Sequence, residues 1–141
     1  MKKTLKTLVS VVMLLALLFS FTACKRGENT DIWSSALYLE DTELGEGSKT
    51  VTVEVKALER TVVFTIHTDK DTVGAALVEH GLVDGDEGAF GMYVKYVNGM
   101  LADYDIDQSY WGFYINGETA MTGVDGTPIS EGETYQLVRV K

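Results

Sequence analysis

Cysteine and histidine are scarce in this chain of 141 residues, and their scarcity argues against two common features of small domains, an internal disulfide and a bound metal. The single cysteine, Cys24, rules out an internal disulfide. The two histidines, His67 and His80, lack the spacing of metal ligands, and no cysteine remains to complete a zinc site. The sequence therefore predicts no bound metal.

Catalytic motifs are also missing. The chain has no serine in a nucleophile-elbow pattern and no glycine loop that opens a helix onto a phosphate. Paired carboxylates occur throughout so acidic a chain, so they do not indicate acid–base chemistry. We therefore expect a protein that is not an enzyme.

Positive charge is in short supply as well. The chain carries 12 Lys and Arg against 21 Asp and Glu, a formal net charge of −9 at pH 7. Such a chain repels phosphate backbones and anionic lipid head groups. Nucleic acid is therefore not expected as a partner.

No apolar run reaches the length of a membrane-spanning helix. The uncharged stretch at residues 8–23 is shorter than the roughly 20 residues that a span requires. It follows a basic opening with Lys2, Lys3 and Lys6, and small residues precede its end. This arrangement is typical of an export signal, so residues 1–23 are predicted to be a signal peptide.

The end of this signal, FTAC at residues 21–24, resembles the bacterial lipobox. The resemblance implies cleavage just before Cys24 and a diacylglycerol on its thiol, whereas an ordinary secretory signal is the alternative. A lipid at this point attaches the protein to the membrane without spanning it. We therefore expect a lipoprotein anchored to the outer face of the cytoplasmic membrane. Its mature chain of 118 residues has a formal net charge of −12, because the removed segment carries three lysines and no acid.

Residues 24–49 are predicted to be a lipidated tether. The pieces KRGENTD and EDTELGEGS are polar or acidic and show no apolar periodicity. Between them, IWSSALYLE carries Trp33, Leu37, Tyr38 and Leu39. This piece can dock on the domain as a short helix or strand, or it can belong to a flexible spacer, and the sequence leaves both open.

From residue 50 onward the pattern indicates one folded domain, residues 50–141. TVTVEVKA and RTVVFTIHT alternate apolar and polar residues and predict an antiparallel hairpin. TVGAALVEHG predicts a helix that is capped by Asp71 or Thr72 and ends at Gly81. Three more strands are expected in MYVKYVNG, YWGFYI and TYQLVRV, two of them ending in Asn-Gly turns. One helix packed on a mixed or antiparallel sheet of four to five strands is an α+β, β-grasp-like fold.

The strand YWGFYI has two chemically different faces. Alternation sends Trp111, Phe113 and Ile115 to the core, and Tyr110, Gly112 and Tyr114 to the other side. A glycine weakens a strand unless something approaches it closely, so two tyrosines beside bare backbone suggest a flat slot for a planar ligand. The alternative is purely structural, because aromatic residues favour strands and a glycine can mark a bulge.

The segment DYDID places Asp103, Asp105 and Asp107 like the first three ligands of a calcium loop. Gln108 and Tyr114 occupy the positions where that loop needs glycine and glutamate. We therefore expect a solvated acidic loop here.

Residues 110–140, YWGFYINGETAMTGVDGTPISEGETYQLVRV, resemble the core motif of a bacterial family, domain of unknown function 4430. That family is similar to the C-terminal β-domain of transcobalamin and intrinsic factor. The pieces TVTVEV, HTDKDTVGAALVEHGL and YVKYVNG also fit, so the resemblance covers roughly residues 50–141.

The resemblance implies a non-catalytic binding domain, with cobalamin or a related corrinoid as its ligand. It implies Tyr110, Trp111, Tyr114 and Asn116 as ligand-binding residues, although strand alternation favours the two tyrosines over the tryptophan. The vitamin carriers also have a large helical domain that supplies the other wall of their site, and no segment of this sequence corresponds to it. The alternative function is a protein–protein interaction module at the cell surface, without a small-molecule ligand.

Overall fold

The computed structural model describes residues 31–141, so the predicted signal peptide and Cys24 lie outside the described residues. Two α-helices and two 3₁₀ turns accompany the strands: α1 Val73–Glu79, α2 Tyr104–Asp107, η1 Ile32–Ser35 and η2 Val124–Gly126. The strands are β1 Thr42–Leu44, β2 Lys49–Ala57, β3 Arg60–Thr68, β4 Val83–Gly88, β5 Gly91–Val97, β6 Met100–Leu101, β7 Tyr110–Ile115, β8 Glu118–Thr119 and β9 Thr134–Val140. None of the helices within residues 31–141 is long and apolar enough to cross a membrane.

The strands form two sheets. The larger one has the order β1-β3-β2-β9-β7-β8 and is mixed, because β1 runs parallel to β3 and β2 runs parallel to β9. The smaller sheet, β4-β5-β6, is antiparallel. The prediction of an α+β fold is confirmed, but the predicted four to five strands are wrong, since the main sheet has six. Strands β1 and β8 are three and two residues long, too short to leave an alternating pattern in the sequence.

The predicted hairpin of β2 and β3 is confirmed, and it supplies the centre of the core. Val53 pairs with Phe64, and Val55 pairs with Val62, all with side chains turned inward and buried. The core lies between the inner face of the main sheet and a layer that contains α1 and the smaller sheet. Cross-strand apolar pairs of this kind fix the register, because a slip by one residue would turn every side chain outward.

Helix α1 begins and ends close to the predicted positions. The Thr72 hydroxyl accepts a hydrogen bond from the Ala75 amide at 3.2 Å and so caps the first turn. After the helix, Gly81 adopts a positive φ of 65° and donates its amide hydrogen to the Val78 carbonyl. Val73 and Leu77 on the inner side of α1 join the core cluster.

The segment predicted as a tether is folded with the domain from residue 31 onward. Trp33 is only 5% exposed, and its indole Nε1 donates to the Ala57 carbonyl at 3.0 Å. The buried side chain of Asn98 binds both backbone groups of Tyr38, at 2.9 and 2.8 Å. Of the two possibilities that the sequence left open, the structure shows docking, and residues 31–141 form one compact unit.

Candidate functional site

Strand β7 separates its side chains by parity, as the alternation in YWGFYI predicts. Trp111 is 8% exposed, and its Nε1 donates to the Lys95 carbonyl of β5 at 3.1 Å. The Phe113 ring stacks on Tyr135 with 6.2 Å between centroids, and Ile115 packs against the same core. Trp111 therefore links the two sheets inside the protein.

The opposite side of β7 carries the two tyrosines. Tyr110 is 42% exposed and Tyr114 is half-buried. A Cβ atom built on Gly112 would lie 2.8 Å from Tyr114 Cε2 and 2.9 Å from its Oη, so the ring lies back over the glycine. The close approach that the glycine permits is therefore made by Tyr114 itself, and no open slot separates the two tyrosines.

The tyrosines belong to the side of the main sheet opposite the core, which we call the outer face. Gln136 lies beside Tyr114 in the register of β9 and β7, and its amide donates to Glu54 of β2 at 2.9 Å. The outer-face side chains of the four central strands are half-buried or exposed; they include Thr52, Lys56, Val63, Thr65 and Val138. This surface is mixed in polarity.

Asn116 holds the turn between β7 and β8. Asn116 and Gly117 both have positive φ values, 50° and 84°, which is the backbone of a type I′ hairpin turn. The Asn116 amide and side-chain Oδ1 bind the backbone carbonyl and amide of Thr134 at 2.8 and 2.9 Å. Gly117 donates its amide hydrogen to Gln136 Oε1 at 2.8 Å. This network ties the hairpin to the start of β9.

An open cleft of about 680 Å³ begins at this hairpin. Its walls are the β7–β8 hairpin and the loop that leads to β9, and one of its lining residues, Met121, is 97% exposed. The lining residues are Ile115, Asn116, Glu118, Thr119, Ala120, Met121, Thr122, Thr127, Pro128, Ser130 and Glu133. Of the four residues predicted to bind ligand, only Asn116 lines the cleft. Sequence reasoning missed the rest, because GETAMTG and TPISEGE have the composition of ordinary turns.

One wall of the cleft is held in place by a buried phenol. Tyr135 is fully buried, and its hydroxyl donates to Glu133 Oε2 at 2.9 Å while it accepts the Ser130 amide hydrogen at 2.9 Å. Burial raises the pKa of Tyr135, and the neighbouring Glu133 carboxylate raises it further. The hydroxyl therefore stays protonated and remains a donor to Glu133 at neutral pH.

Within DYDID, the side chains of Asp103 and Asp107 contact different residues. Asp103 caps α2 through the Asp105 amide, and its other oxygen lies 3.3 Å from Lys95 Nζ. Asp107 accepts the Ser109 hydroxyl and also Arg139, at 2.8 Å. The hydrogen bond from Ser109, followed by Arg139, lowers the pKa of Asp107 to about 2. Among residues 31–141, no group of three or more His, Cys, Asp or Glu side chains is placed to hold a metal ion.

The histidines lie on different elements and have different partners. His67 Nε2 lies 2.6 Å from Glu43 Oε1 and so links β3 to β1. His80 Nε2 lies 3.8 Å from Glu79 Oε2, at the end of α1.

Part of the chain matches a known protein family. The model of the family called domain of unknown function 4430 (DUF4430) matches residues 70–136. The crystal structure of a candidate metal-binding protein from Ruminococcus gnavus is 33% identical to this chain, with a TM-score of 0.63. That match covers 67% of this chain and 98% of the other.

A second solved structure, haptocorrin in complex with Cbi, has 17% identity and a TM-score of 0.57. The match covers 70% of this chain but only 26% of haptocorrin, so the likeness concerns the fold of one part of that protein. No curated protein matches the chain.

Proposed function

The chain belongs to the DUF4430 family, and on this premise we propose that it is a non-catalytic binding domain whose cleft accepts cobalamin or a related corrinoid. The observation that carries the proposal is the cleft of about 680 Å³ beside Asn116. Its volume falls within the usual range for small-molecule sites. The haptocorrin structure, which contains Cbi, and the metal-binding description of the R. gnavus protein support a binding role.

The open shape of the cleft suits one edge of a flat macrocycle. Asn116 and Thr119 stand on the hairpin side, and Ser130 and Glu133 stand on the loop side. A ligand between these walls meets hydroxyl, amide and carboxylate groups, while Ile115 and Met121 supply apolar contact. The β-grasp description of the fold belongs to the same proposal, since α1 packs on the inner face of a mixed sheet.

The location of the protein is part of the proposal. The signal-like residues 1–23 and the lipobox-like FTAC support cleavage before Cys24 and a lipid on its thiol. We therefore place the domain outside the cell, attached to the outer face of the cytoplasmic membrane. Its partners there are the lipid bilayer and a corrinoid, and nucleic acid is not among them.

The test is a titration of the mature chain without lipid, residues 25–141, with dicyanocobinamide and cyanocobalamin. Absorbance changes and heats of binding are measured together. The variant Ala120→Trp fills the cleft and should abolish binding. Leu58→Trp is the matched control, because Leu58 lies exposed in the β2–β3 turn. Absence of binding at high micromolar concentration for both corrinoids would rule the proposal out.

A second candidate function depends on the outer face of the main sheet, the surface that carries Tyr110 and Tyr114. Because the Tyr114 ring covers Gly112, no slot opens between the two tyrosines, and the surface around them continues onto the neighbouring strands of the main sheet. A surface with an exposed Tyr110 and no slot suits another protein better than a small ligand. A photo-reactive residue in place of Tyr110 should then crosslink to one surface protein in whole cells, whereas the same residue in place of Leu58 should not. Equal crosslinking at both positions would argue against this function.

A further inference from the structure

The charged residues that line the cleft are all acidic. Of its eleven lining residues, two are glutamates, and none is a lysine, an arginine or a histidine. The remaining polar groups are hydroxyls and the Asn116 amide. A ligand in this cleft therefore meets two carboxylates and no cation on the walls that the structure describes.

Glu133 is the better fixed of the two carboxylates. Its Oε2 accepts the hydroxyl hydrogen of Tyr135, which is fully buried, and its backbone amide binds the Ser130 carbonyl. Glu133 also lines the cleft, so its carboxylate can accept further hydrogen bonds from a ligand there. Charge-assisted hydrogen bonds from an N–H donor to such a carboxylate are short and strong.

Glu118 stands across the cleft on β8. It pairs with Ile115 in the two-residue strand that follows the Asn116–Gly117 turn, and its side chain is exposed. The hairpin thus carries one carboxylate and the loop before β9 carries the other. The Asn116–Gly117 turn before Glu118 is held by hydrogen bonds to Thr134 and Gln136, and the Glu133 amide donates to the Ser130 carbonyl.

We propose that this cleft selects its ligand by charge: it binds a corrinoid whose edge carries uncharged amide donors more tightly than forms with carboxylates in their place. This inference rests on the proposed function of the cleft. An amide edge donates N–H hydrogens to Glu118 and Glu133. A carboxylate edge cannot donate and places like charges together, which costs affinity and slows association.

The experiment compares two ligands with the same macrocycle, dicyanocobinamide with amide side chains and dicyanocobyrinic acid with free carboxylates. The wild-type chain, residues 25–141, should bind the amide form at least about tenfold more tightly, the effect expected of one to two unfavourable charge contacts. Glu118→Gln and Glu133→Gln should each narrow this ratio about three- to tenfold, chiefly by improving the binding of the acid form. Added salt should narrow it as well, because it screens repulsion between exposed charges.

Glu131→Gln is the matched control. Glu131 is exposed, lies two residues before Glu133 and does not line the cleft, so this variant should keep the wild-type ratio. Equal affinity of the wild type for both ligands, or a ratio that neither cleft variant changes, overturns the charge selection alone. Failure to bind either ligand overturns the proposed function itself.

Discussion

Replacing Trp33 with alanine tests whether the segment before β2 is an integral part of the folded unit. The indole is 5% exposed and belongs to the main core cluster. Its Nε1 donates to the Ala57 carbonyl at 3.0 Å, and the Arg60 guanidinium lies 4.9 Å from the ring centroid. The substitution removes all three contacts at once.

The expected loss of stability is large. Truncation of a buried tryptophan to alanine costs about 3–5 kcal/mol, of which about 1 kcal/mol reflects the lost hydrogen bond. Small domains have a free energy of unfolding of about 5–15 kcal/mol, so this loss is a major fraction of the total. At roughly 4 °C or more per kcal/mol for a domain of this size, the melting temperature should fall by at least about 12 °C.

The assay is urea and thermal unfolding of residues 25–141, followed by far-UV circular dichroism. Leu37→Ala is the control, because Leu37 lies in the same segment but is 58% exposed, and its loss should change the unfolding free energy by less than about 1 kcal/mol. Trp33→Phe retains most of the apolar contact but lacks the hydrogen-bond donor. Its loss of unfolding free energy should therefore lie between those of Trp33→Ala and Leu37→Ala. An unchanged melting temperature in Trp33→Ala would show that the folded unit does not depend on this segment.

Three further changes test other parts of the structure. Asn98→Ala should lower the unfolding free energy by about 2–3 kcal/mol in urea titration, because it removes two hydrogen bonds from a fully buried side chain. The folded-state pKa of Asp107, about 2, lies below its ordinary value of 3.8, so this group stabilises the fold above pH 4 and loses that effect as pH falls toward 2. Asp107→Asn should therefore lower the melting temperature at pH 7 and flatten its decline between about pH 4 and pH 2. Gly112→Ala should displace the Tyr114 ring and destabilise the wild type, but it should be neutral or stabilising in a Tyr114→Ala background, as urea midpoints will show.

Matched variants distinguish the loss of each named contact from nonspecific destabilisation of the fold. Leu39→Ala is matched to Asn98→Ala, because Leu39 is an exposed neighbour of the segment that Asn98 binds. Asp105→Asn removes one carboxylate from the same helix as Asp107 but no contact with Arg139, so it should keep the wild-type acid decline. Equal costs of Gly112→Ala in both backgrounds would contradict the placement of the Tyr114 ring.

The parts of the fold that sequence predicted correctly are those encoded by local repetition. Val53, Val55 and Phe64 alternate with polar neighbours, and this alternation alone defines β2, β3 and their pairing. The inward turn of Trp111 follows from the same rule, since alternation in YWGFYI requires no knowledge of distant residues. Such patterns are visible in the sequence because one face of each strand is buried and the other is not.

The parts that sequence did not predict depend on distant partners or on rotamers. Strand β1 has three residues and pairs with β3 about twenty residues later in the chain, so no local pattern predicts it. The position of the Tyr114 ring over Gly112 depends on a side-chain rotation that no spacing encodes. The cleft arises from the path of two loops, and its carboxylates look in sequence like any solvated glutamates.

The docking of residues 31–49 sets how far this domain can travel from its proposed anchor. A tether that ran freely from Cys24 to residue 50 would have a reach of about 90 Å, whereas the seven residues from Cys24 to Asp31 span at most about 25 Å. If Cys24 carries the proposed lipid, Asp31 stays within about 25 Å of the lipid head groups. A protein embedded in the same bilayer would then lie within reach of the domain, whereas one farther than this from the membrane would not.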